Sequence, residues 1–390
     1  MSDLPPYLFA IPAILWLAVA FLPWRPWSNR EVLEAVSPCR REDLSGVTVL
    51  IPARDEARVI GRTLSSVAAQ GDGLSVVLVD DGSTDGTAER ARLAGPEGLR
   101  VVAGVPPPPG WSGKLWALEQ GRRRVRTAYT LLLDADIELA PGMICALLGK
   151  MRKEGISFLS LMAAPPMGSF REKLLLPAFV YFFKLLYPFR LANSPSSRVA
   201  AAAGGCILME TRLFEGIGGL ETIKEELIDD CALARRVKEA GGSTWVGVTR
   251  SVRTVRPYNG LGEIRDMVAR TAYTQLRYSG VLLALCTVVM AVAFLLPVAG
   301  LASASGPARW ASAGALGVMC LTYMPTLAFY GRSPAWSLCL PGIAMLYLFM
   351  TWTSAVRFWK GERSRWKGRV YAAKAGRTPP PGPRSREGCS

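Results

Sequence analysis

The sequence contains no histidine among its 390 residues. This absence excludes Ser-His and Cys-His catalytic triads, imidazole-ligated zinc and a histidine general base. Any acid–base chemistry must therefore be carried by carboxylates. The eight cysteines form no Cys-x-x-Cys pair and show no paired metal spacing, so they indicate neither a zinc site nor a disulfide framework. This cysteine usage is typical of a reducing, cytoplasmic setting.

Acidic residues are also scarce. The chain has 31 Asp plus Glu against 46 Lys plus Arg, a net charge of +15. The stretch from Arg357 to Ser390 holds ten basic and two acidic residues, and it follows an apolar segment directly. A basic run beside a membrane segment favours anionic headgroups, whereas nucleic-acid binding would call for exposed aromatics between the basic residues. We therefore expect a membrane partner and no nucleic acid.

Long apolar segments are present, and each is about long enough to cross a hydrocarbon core of roughly 30 Å. They cover residues 7–24, 280–301, 311–330 and 335–356. The first could instead be a cleaved signal peptide, because Ala18-Val19-Ala20 resembles a cleavage site. The leader before it carries Asp3 and no basic residue, which favours an anchor.

Between these segments, residues 45–250 alternate short apolar runs with helical patterns. The runs are residues 47–51, 75–80, 99–103, 129–134 and 156–162, and the helical patterns are residues 57–70, 86–94, 114–126 and 141–153. This alternation predicts an α/β domain with a mostly parallel sheet. Ligands bind such sheets at the carboxyl ends of the strands, and polar clusters follow three of the predicted strands. They are Pro52–Glu56, Asp80–Asp85 and Asp134–Asp136.

The Asp134-Ala135-Asp136 turn offers two carboxylates that can hold a divalent cation against a diphosphate, because hard Mg²⁺ or Mn²⁺ prefers oxygen ligands. We therefore predict Asp134 and Asp136 as metal ligands.

Lys114 follows a Gly-Trp-Ser-Gly stretch. Its ammonium could reach the same diphosphate, or the residue could be an exposed lysine at the start of a helix.

Three further carboxylates follow the first two strands. Glu56 could bind the nucleotide or act as a helix first-turn acid. Asp80 and Asp81 could accept hydrogen bonds from a nucleobase or ribose, or could shape the turn after their strand.

A base for an acceptor hydroxyl must come from acids outside the metal pair. Asp229 and Asp230 stand at the start of a predicted helix and supply such a pair. Two adjacent acids at that position also complement the helix dipole, so both interpretations stay open on the residues alone.

The motifs PARDEA, VDDGSTD, GKLWAL, LLLDAD, GGC…GGL and IDDCAL, in this order and spacing, resemble the inverting family 2 glycosyltransferases of the GT-A fold over about residues 45–280. In overall plan the chain is similar to bacterial hopanoid-biosynthesis-associated glycosyltransferases and, more distantly, to ceramide glucosyltransferases. The resemblance implies a Rossmann-like sheet domain between membrane helices. It also implies transfer of one sugar from a nucleotide-diphospho-sugar, most commonly a UDP-sugar, to a lipid hydroxyl with Mg²⁺ or Mn²⁺.

The resemblance also assigns roles to residues. It implies that Glu56 and Asp81 contact the nucleotide, that Asp134 and Asp136 contact the donor and its metal, and that Asp230 is the general base. The family's Gln-x-x-Arg-Trp element appears in altered form as Thr274-Gln275-Leu276-Arg277-Tyr278, with Thr274 where Gln or Arg would stand. Arg277 retains a cation for the diphosphate, whereas the alteration argues against processive polysaccharide synthesis.

The predicted domain plan follows from these segments. It comprises an anchor over residues 1–28, a catalytic domain over 45–265, an interface helix over 266–279, membrane segments over 280–356 and a basic tail over 357–390. Residues 170–190 are expected to form an interfacial amphipathic helix, the alternative being a buried core helix. We expect a bacterial cytoplasmic membrane, a catalytic domain on its cytoplasmic face, and other enzymes of the same lipid pathway as possible partners.

This plan contains a topological conflict. If all three C-terminal segments cross, the basic tail ends outside, against the positive-inside tendency. One segment is therefore expected to be re-entrant or interfacial, and the sequence does not identify it.

Two rival functions remain on the sequence alone. A nucleotidyltransferase would need a Gly-rich phosphate loop, and PARDEA contains no glycine. A non-catalytic membrane scaffold would not need the full set of carboxylates, and the C-terminal apolar segments lack the charged residues of an ion path.

Overall fold

A computed structural model describes residues 5–35, 43–366 and 369–372 of the chain. The strands are β1 (Val47–Ala53), β2 (Ser75–Asp80), β3 (Leu99–Ala103), β4 (Tyr129–Leu133), β5 (Ile137–Leu139), β6 (Phe158–Ala164), β7 (Cys206–Glu210), β8 (Thr244–Thr254), β9 (Glu362–Trp366) and β10 (Arg369–Ala372). The first eight form one sheet in the order β3-β2-β1-β4-β7-β6-β8-β5. Strands β9 and β10 form a separate antiparallel hairpin.

The helices are α1 (Ala10–Phe21), α2 (Ile60–Ala68), α3 (Thr87–Ala94), α4 (Gly113–Arg122), α5 (Met143–Glu154), α6 (Phe170–Leu186), α7 (Phe189–Ala192), α8 (Thr211–Gly216), α9 (Asp229–Glu239), α10 (Leu261–Ala269), α11 (Ala272–Gln275), α12 (Gly280–Met290), α13 (Leu296–Ser303), α14 (Gly306–Phe329) and α15 (Leu340–Trp359). A π-helical turn, Ala291–Leu295, joins α12 to α13, and 3-10 turns precede α1 and α15.

The α/β fold predicted from the alternating pattern is confirmed. All five predicted strands are present, and four strand pairings of the large sheet are parallel against three antiparallel. Strands β1 and β4 are almost wholly buried because helices pack on both faces of the sheet. Three strands of the large sheet, and the separate hairpin β9–β10, were not predicted. Strands β5 and β7 are only three and five residues long, and β8 carries Arg250 and Arg253 within its pattern.

Helices α2 to α5 lie where helices were predicted, with boundaries that differ by a few residues. The fourth helical pattern was predicted to begin at residue 141, but α5 begins later, at Met143, with Gly142 in a left-handed conformation (φ 81°) before it. Gly142 turns the chain at this point.

Three helical stretches are long and apolar enough to cross a membrane, namely Gly280–Ser303, Gly306–Phe329 and Pro334–Trp359. They match the three C-terminal segments of the sequence analysis. The N-terminal apolar helix, Tyr7–Phe21, is shorter than predicted and falls below that length. It nevertheless packs among the long helices, where the indole of Trp16 donates to the Ala293 carbonyl at 2.9 Å.

Helix α6 lies between the sheet domain and the long helices. Its residues Leu175, Leu176 and Tyr181 are buried in the same apolar cluster as the C-terminal helices, while Phe170 and Leu186 near its ends are exposed. Its inner face is therefore packed like a core helix, and its position at a headgroup plane stays a prediction. Much of the basic tail, residues 373–390, lies outside the described residues.

Candidate active site

The carboxyl ends of the strands bring the predicted polar clusters to one edge of the sheet. The Asp81 amide donates to the Ala53 carbonyl at 2.8 Å, which joins the ends of β2 and β1. The Asp134 amide donates to the Gly205 carbonyl at 3.1 Å, which joins the end of β4 to the start of β7. Three stretches that are distant in sequence therefore line one edge.

Glu56 occupies a buried turn after β1 and is 8% exposed. Its amide donates to the Thr87 hydroxyl at 2.8 Å. The preceding Asp55 has a positive φ of 51°, and its carboxylate accepts from the Thr84 amide at 2.9 Å. These bonds hold the turn after β1 against the turn after β2.

Asp80 and Asp81 have different surroundings although they are adjacent. Asp80 accepts from the amide and the hydroxyl of Ser83, so it closes its own turn. Asp81 is 3% exposed, and its carboxylate lies 3.7 Å from a guanidinium nitrogen of Arg54. The structure thus supports the turn-forming interpretation for Asp80. Asp81, by contrast, is buried at this edge of the sheet.

Asp134 is paired with Lys114, whose Nζ lies 2.7 Å from Oδ1 of Asp134. Helix α4 presents this lysine because the Ser112 hydroxyl caps the helix by accepting from the Leu115 amide at 3.3 Å. Burial alone would lower the pKa of Lys114, but the charges of Asp134 and Asp229 outweigh it and raise that pKa above its usual range. Lys114 is therefore a permanent cation at the edge.

Arg256 joins two of the predicted carboxylates. Its Nε donates to Oδ2 of Asp136 at 3.2 Å, and its Nη2 is paired with Glu56. The arginine follows the end of β8, and the Val255 amide before it donates to the Asp136 carbonyl at 2.8 Å. Glu56 and Asp136 are thereby held within reach of one guanidinium.

No group of three or more Cys, Asp or Glu side chains that could hold a metal ion occurs in residues 5–35, 43–366 and 369–372. Asp134 and Asp136 supply hard oxygen atoms of the kind that Mg²⁺ or Mn²⁺ prefers, and a diphosphate would complete the set. The residues fit a cation shared with a phosphorylated ligand.

Asp230 shares a small pocket with Lys114, Asp134 and Asp229. It lies in the first turn of α9, where its Oδ1 accepts from the Cys231 amide at 2.7 Å. Burial and the neighbouring Asp229 charge raise the pKa of Asp230 to about 6, against the opposing effects of the Cys231 amide, Lys114 and Arg270. A carboxyl with this pKa can accept a proton near neutral pH.

Because Gly204 has no side chain, the space between the charged side chains of Asp230 and Lys114 stays open. A β-carbon at Gly204 would lie 3.5 Å from the Asp230 carboxylate and 3.5 Å from Lys114 Nζ. Both groups therefore point toward the same small volume beside the backbone before β7.

Arg277 is not brought to this site. Its side chain is exposed, and in the part of the chain that the structure describes no side-chain contact joins it to Asp134, Asp136 or Asp230. Arg277 and Tyr278 both have positive φ values, 52° and 57°, and Tyr278 stacks on Phe358 at 4.3 Å between ring centroids. The altered element thus packs on α15, and a catalytic role for Arg277 stays a prediction.

Three residues near the site were missed from the sequence. They are Arg256, which pairs with Glu56 and Asp136, Arg270, whose charge acts on Lys114 and Asp230, and Tyr187, which lies near Asp230. The Tyr187 hydroxyl donates to Oε1 of Gln275 at 2.5 Å. No local motif marks these residues, because each reaches the site from an element distant in sequence.

Comparison with known proteins gives a family match for the sheet domain. Residues 48–218 match the model of "Glycosyl transferase family 2". This range contains Glu56, Asp81, Lys114, Asp134 and Asp136, and it ends before Asp230.

Among curated proteins, the chain is similar to 4,4'-diaponeurosporenoate glycosyltransferase of Staphylococcus aureus (strain USA300), with 39% identity over 92 residues. This alignment covers 23% of the present chain and 24% of that protein, so the chain spans about a quarter of the length of the relatives that it matches.

Among solved structures, the chain is similar to the mannosyltransferase PcManGT from Pyrobaculum calidifontis in complex with GDP-Man and Mn²⁺, with 19% identity, coverage of 90% of this chain and 94% of that chain, and a TM-score of 0.49. It is also similar to glucosyl-3-phosphoglycerate synthase from Mycobacterium tuberculosis in complex with Mn²⁺, UDP and phosphoglyceric acid, with 17% identity, coverage of 62% and 85%, and a TM-score of 0.40. The family match thus covers residues 48–218, the part of the chain that carries most of the candidate site.

Proposed function

We propose that this protein transfers a single sugar, with inversion, from a nucleotide-diphospho-sugar to the hydroxyl of a membrane lipid. The observation that supports this proposal is the shared pocket of Asp230, Lys114 and Asp134, in which the proposed base lies beside a cation and a second carboxylate. The family match of residues 48–218 supports sugar transfer as the reaction class.

The nucleotide part of the donor is assigned to the buried carboxylates after β1 and β2. Glu56 and Asp81 can accept hydrogen bonds from the ribose or the base, and both are already held in place by neighbouring groups. Asp134 and Asp136 would hold Mg²⁺ or Mn²⁺ against the donor diphosphate, where the cation would neutralise charge on the leaving group.

The transfer itself needs one base and one cation from the chain. The acceptor oxygen attacks the anomeric carbon, Asp230 takes the hydroxyl proton, and the bond to the diphosphate oxygen breaks with its electron pair on the departing group. Lys114 stabilises the charge that develops on that diphosphate. Products are a glycosylated acceptor and a nucleoside diphosphate.

A lipid acceptor is supported by the surroundings of Asp230. Tyr187, at the carboxyl end of α6, lies near Asp230, and α6 packs against the long apolar helices. The similar Staphylococcus protein is named 4,4'-diaponeurosporenoate glycosyltransferase. A polycyclic or sphingoid-type alcohol, hopanoids included, is the proposed acceptor class, with UDP as the first donor nucleotide to test and the cytoplasmic leaflet as the proposed location.

The proposal is tested by incubating the purified full-length protein with a panel of UDP- and GDP-sugars, Mn²⁺ or Mg²⁺, and total bacterial lipid extract. We expect a lipid whose mass increases by one sugar residue, release of free nucleoside diphosphate, and loss of both signals when a chelator removes the metal. Release of pyrophosphate would instead identify a nucleotidyltransferase. Metal-dependent nucleotide binding without any product from any donor would favour the scaffold and refute the proposed reaction.

A further inference from the structure

Three C-terminal stretches have the length and hydropathy of membrane spans, and they need not all cross. Two of them form an antiparallel pair. The Arg309 guanidinium donates to the Leu301 carbonyl at 3.1 Å, and a β-carbon at Gly300 would lie only 2.1 Å from the Ser312 hydroxyl. Residues 280–303 and 306–329 therefore run away from the sheet domain and back, each over roughly 36 Å at 1.5 Å per residue.

The returning helix α14 ends against the sheet domain. Tyr330 is buried with Val246 and Val248 of β8, and the Arg250 guanidinium lies over the Phe329 ring at 5.3 Å. The third stretch, residues 334–359, thus begins on the side of the membrane that carries the catalytic domain.

The first turn of the third stretch stays on that side. The Trp336 ring packs on Phe170 at 5.5 Å between centroids. Phe170 begins α6, whose Glu172 accepts from the Tyr258 amide at 2.8 Å, two residues beyond Arg256 of the candidate site. Further along, the Tyr347 hydroxyl donates to the Leu175 carbonyl of α6 at 2.9 Å.

The last turns of the third stretch also stay on that side. The Ser354 hydroxyl donates to the Ala269 carbonyl of α10 at 2.5 Å and accepts from the Tyr273 amide of α11 at 3.1 Å. Arg357 is ion-paired with Asp266 of α10 at 2.5 Å. Helices α10 and α11 immediately precede α12, so the end of α15 lies beside the start of the first span.

A helix that crossed the bilayer would have its ends about 30 Å apart along the membrane normal. Both ends of this stretch and its middle contact elements of the catalytic side. We infer that residues 334–359 do not cross the membrane but lie against the catalytic-side leaflet, so that the basic tail emerges on the same side as the catalytic domain.

The two faces of α15 fit this position. Its inner face, which includes Ile343, Ala344 and Tyr347, is buried against the other helices. Phe349, Trp352, Val356 and Trp359 are exposed, and their spacing of three and four residues puts them on one outer stripe. That apolar stripe continues the lipid-facing surface of α12, because the Trp352 indole donates to the Thr287 hydroxyl at 3.0 Å.

The composition of residues 334–359 and the charge of the tail that follows indicate that this stripe lies at the boundary between lipid headgroups and acyl chains. Residues 334–359 contain three tryptophans and one tyrosine, whereas residues 280–303 contain neither. Tryptophan and tyrosine concentrate at the membrane interface. A stretch with ten basic residues from Arg357 onward favours anionic headgroups, which agrees with this position.

The test compares two tags in the full-length protein expressed in bacterial cells. One variant carries a protease-cleavable epitope at the carboxyl terminus, and its matched control carries the same epitope after Ser305, in the turn between α13 and α14. Protease is added separately to spheroplasts and to inside-out vesicles, and epitope loss is followed by blotting.

We expect the two epitopes to be cleaved in opposite preparations, because the turn after α13 and the basic tail lie on opposite faces. Cleavage of both in the same preparation would mean that residues 334–359 cross, and it would overturn the inference. Cleavage of the terminal epitope in both preparations would also overturn it, because the tail would have no single side. The readout does not depend on catalysis, so the proposed function stands or fails separately.

Discussion

At the scale of single residues, the site depends on charges that neutralise one another before any substrate binds. Lys114 is paired with Asp134, and Arg256 with Glu56 and Asp136. Asp230 is the exception, because burial and Asp229 hold its pKa near 6. A base must be free of a tight cation partner to take a proton, and within the described residues no ion pair of 4.0 Å or less holds Asp230.

Replacing Asp230 by Asn removes the proposed base while preserving the size of the side chain. We expect the turnover rate to fall by about 10²- to 10⁴-fold, with nucleotide affinity nearly unchanged. Transfer rates measured by product mass, together with nucleotide titration by calorimetry, check this. Full activity in the Asp230→Asn protein would disprove the assignment of the base.

The pKa of Asp230 also predicts the pH dependence of the wild-type enzyme. Asp230 accepts a proton only when it is ionised, so we expect kcat/KM to decline as the pH falls through about 6. Replacing Asp229 by Asn removes a like charge that raises this pKa. The acidic limb of the Asp229→Asn profile should therefore shift to lower pH.

The control for the Asp229 variant is Glu226→Gln, which removes an exposed acid a few residues earlier. Its pH profile should coincide with that of the wild type. An acidic limb that stays in place in the Asp229→Asn protein would show that another group controls it.

At the scale of elements, α4 has to approach the sheet closely to present Lys114. Gly121 makes this possible, because a β-carbon there would lie 2.2 Å from Leu50 of β1 and 2.9 Å from Val79 of β2. The helix and two strands that carry site residues are thus joined by a contact that only glycine permits.

Gly121→Ala is expected to destabilise the protein by about 1–3 kcal/mol, because the added methyl group overpacks the core beneath α4. The matched control is Gly149→Ala in α5, where a β-carbon meets nothing within 4 Å. That control should be neutral or stabilised by up to about 1 kcal/mol. Thermal unfolding followed by tryptophan fluorescence in detergent compares the two, and equal melting temperatures would contradict the close approach.

At the scale of the whole molecule, the segment after the N-terminal helix is attached to the edge of the catalytic sheet. Val32 bridges Val248 in parallel, and the Leu33 amide donates to the Val248 carbonyl at 3.2 Å. The Glu34 carboxylate then accepts from the Ser251 hydroxyl at 2.6 Å and from the Arg250 guanidinium at 3.1 Å. The N-terminal helix and the sheet domain are thereby held together.

Replacing Glu34 by Gln tests this attachment through its pH dependence. Burial raises the pKa of Glu34, but the hydrogen bonds from Ser251 and Arg250 outweigh it and lower that pKa. A lowered carboxyl pKa contributes stability above the unfolded-state pKa and loses it as the pH falls.

The melting temperature of Glu34→Gln should therefore lie below that of the wild type at pH 7, and the gap should shrink toward pH 4. Glu239→Gln, which removes an exposed ion-pair partner of Arg236, is the control and should change stability by less than about 1 kcal/mol. A Glu34→Gln gap that is the same at both pH values would contradict the lowered pKa.

Much of the fold and part of the site were predictable from the sequence, for reasons visible in particular residues. The apolar runs before Asp80 and Asp134 predict strands, and parallel strands necessarily bring their carboxyl ends to one edge. The absence of histidine assigns proton transfer to carboxylates. The antiparallel β7 was missed although it is as long as β3 and β4. Its place between β4 and β6 depends on pairing between segments that are distant in sequence.

What the sequence by itself determined is therefore the chemistry available and the edge at which it gathers. Tertiary structure alone decided the partners of those groups, since Arg256 reaches Glu56 across 200 positions. It also decided that residues 334–359 return to the side on which they began. Hydropathy measures how apolar a segment is. Whether the segment crosses the membrane depends on where its two ends pack, and the ends of residues 334–359 pack against α6, α10 and α11.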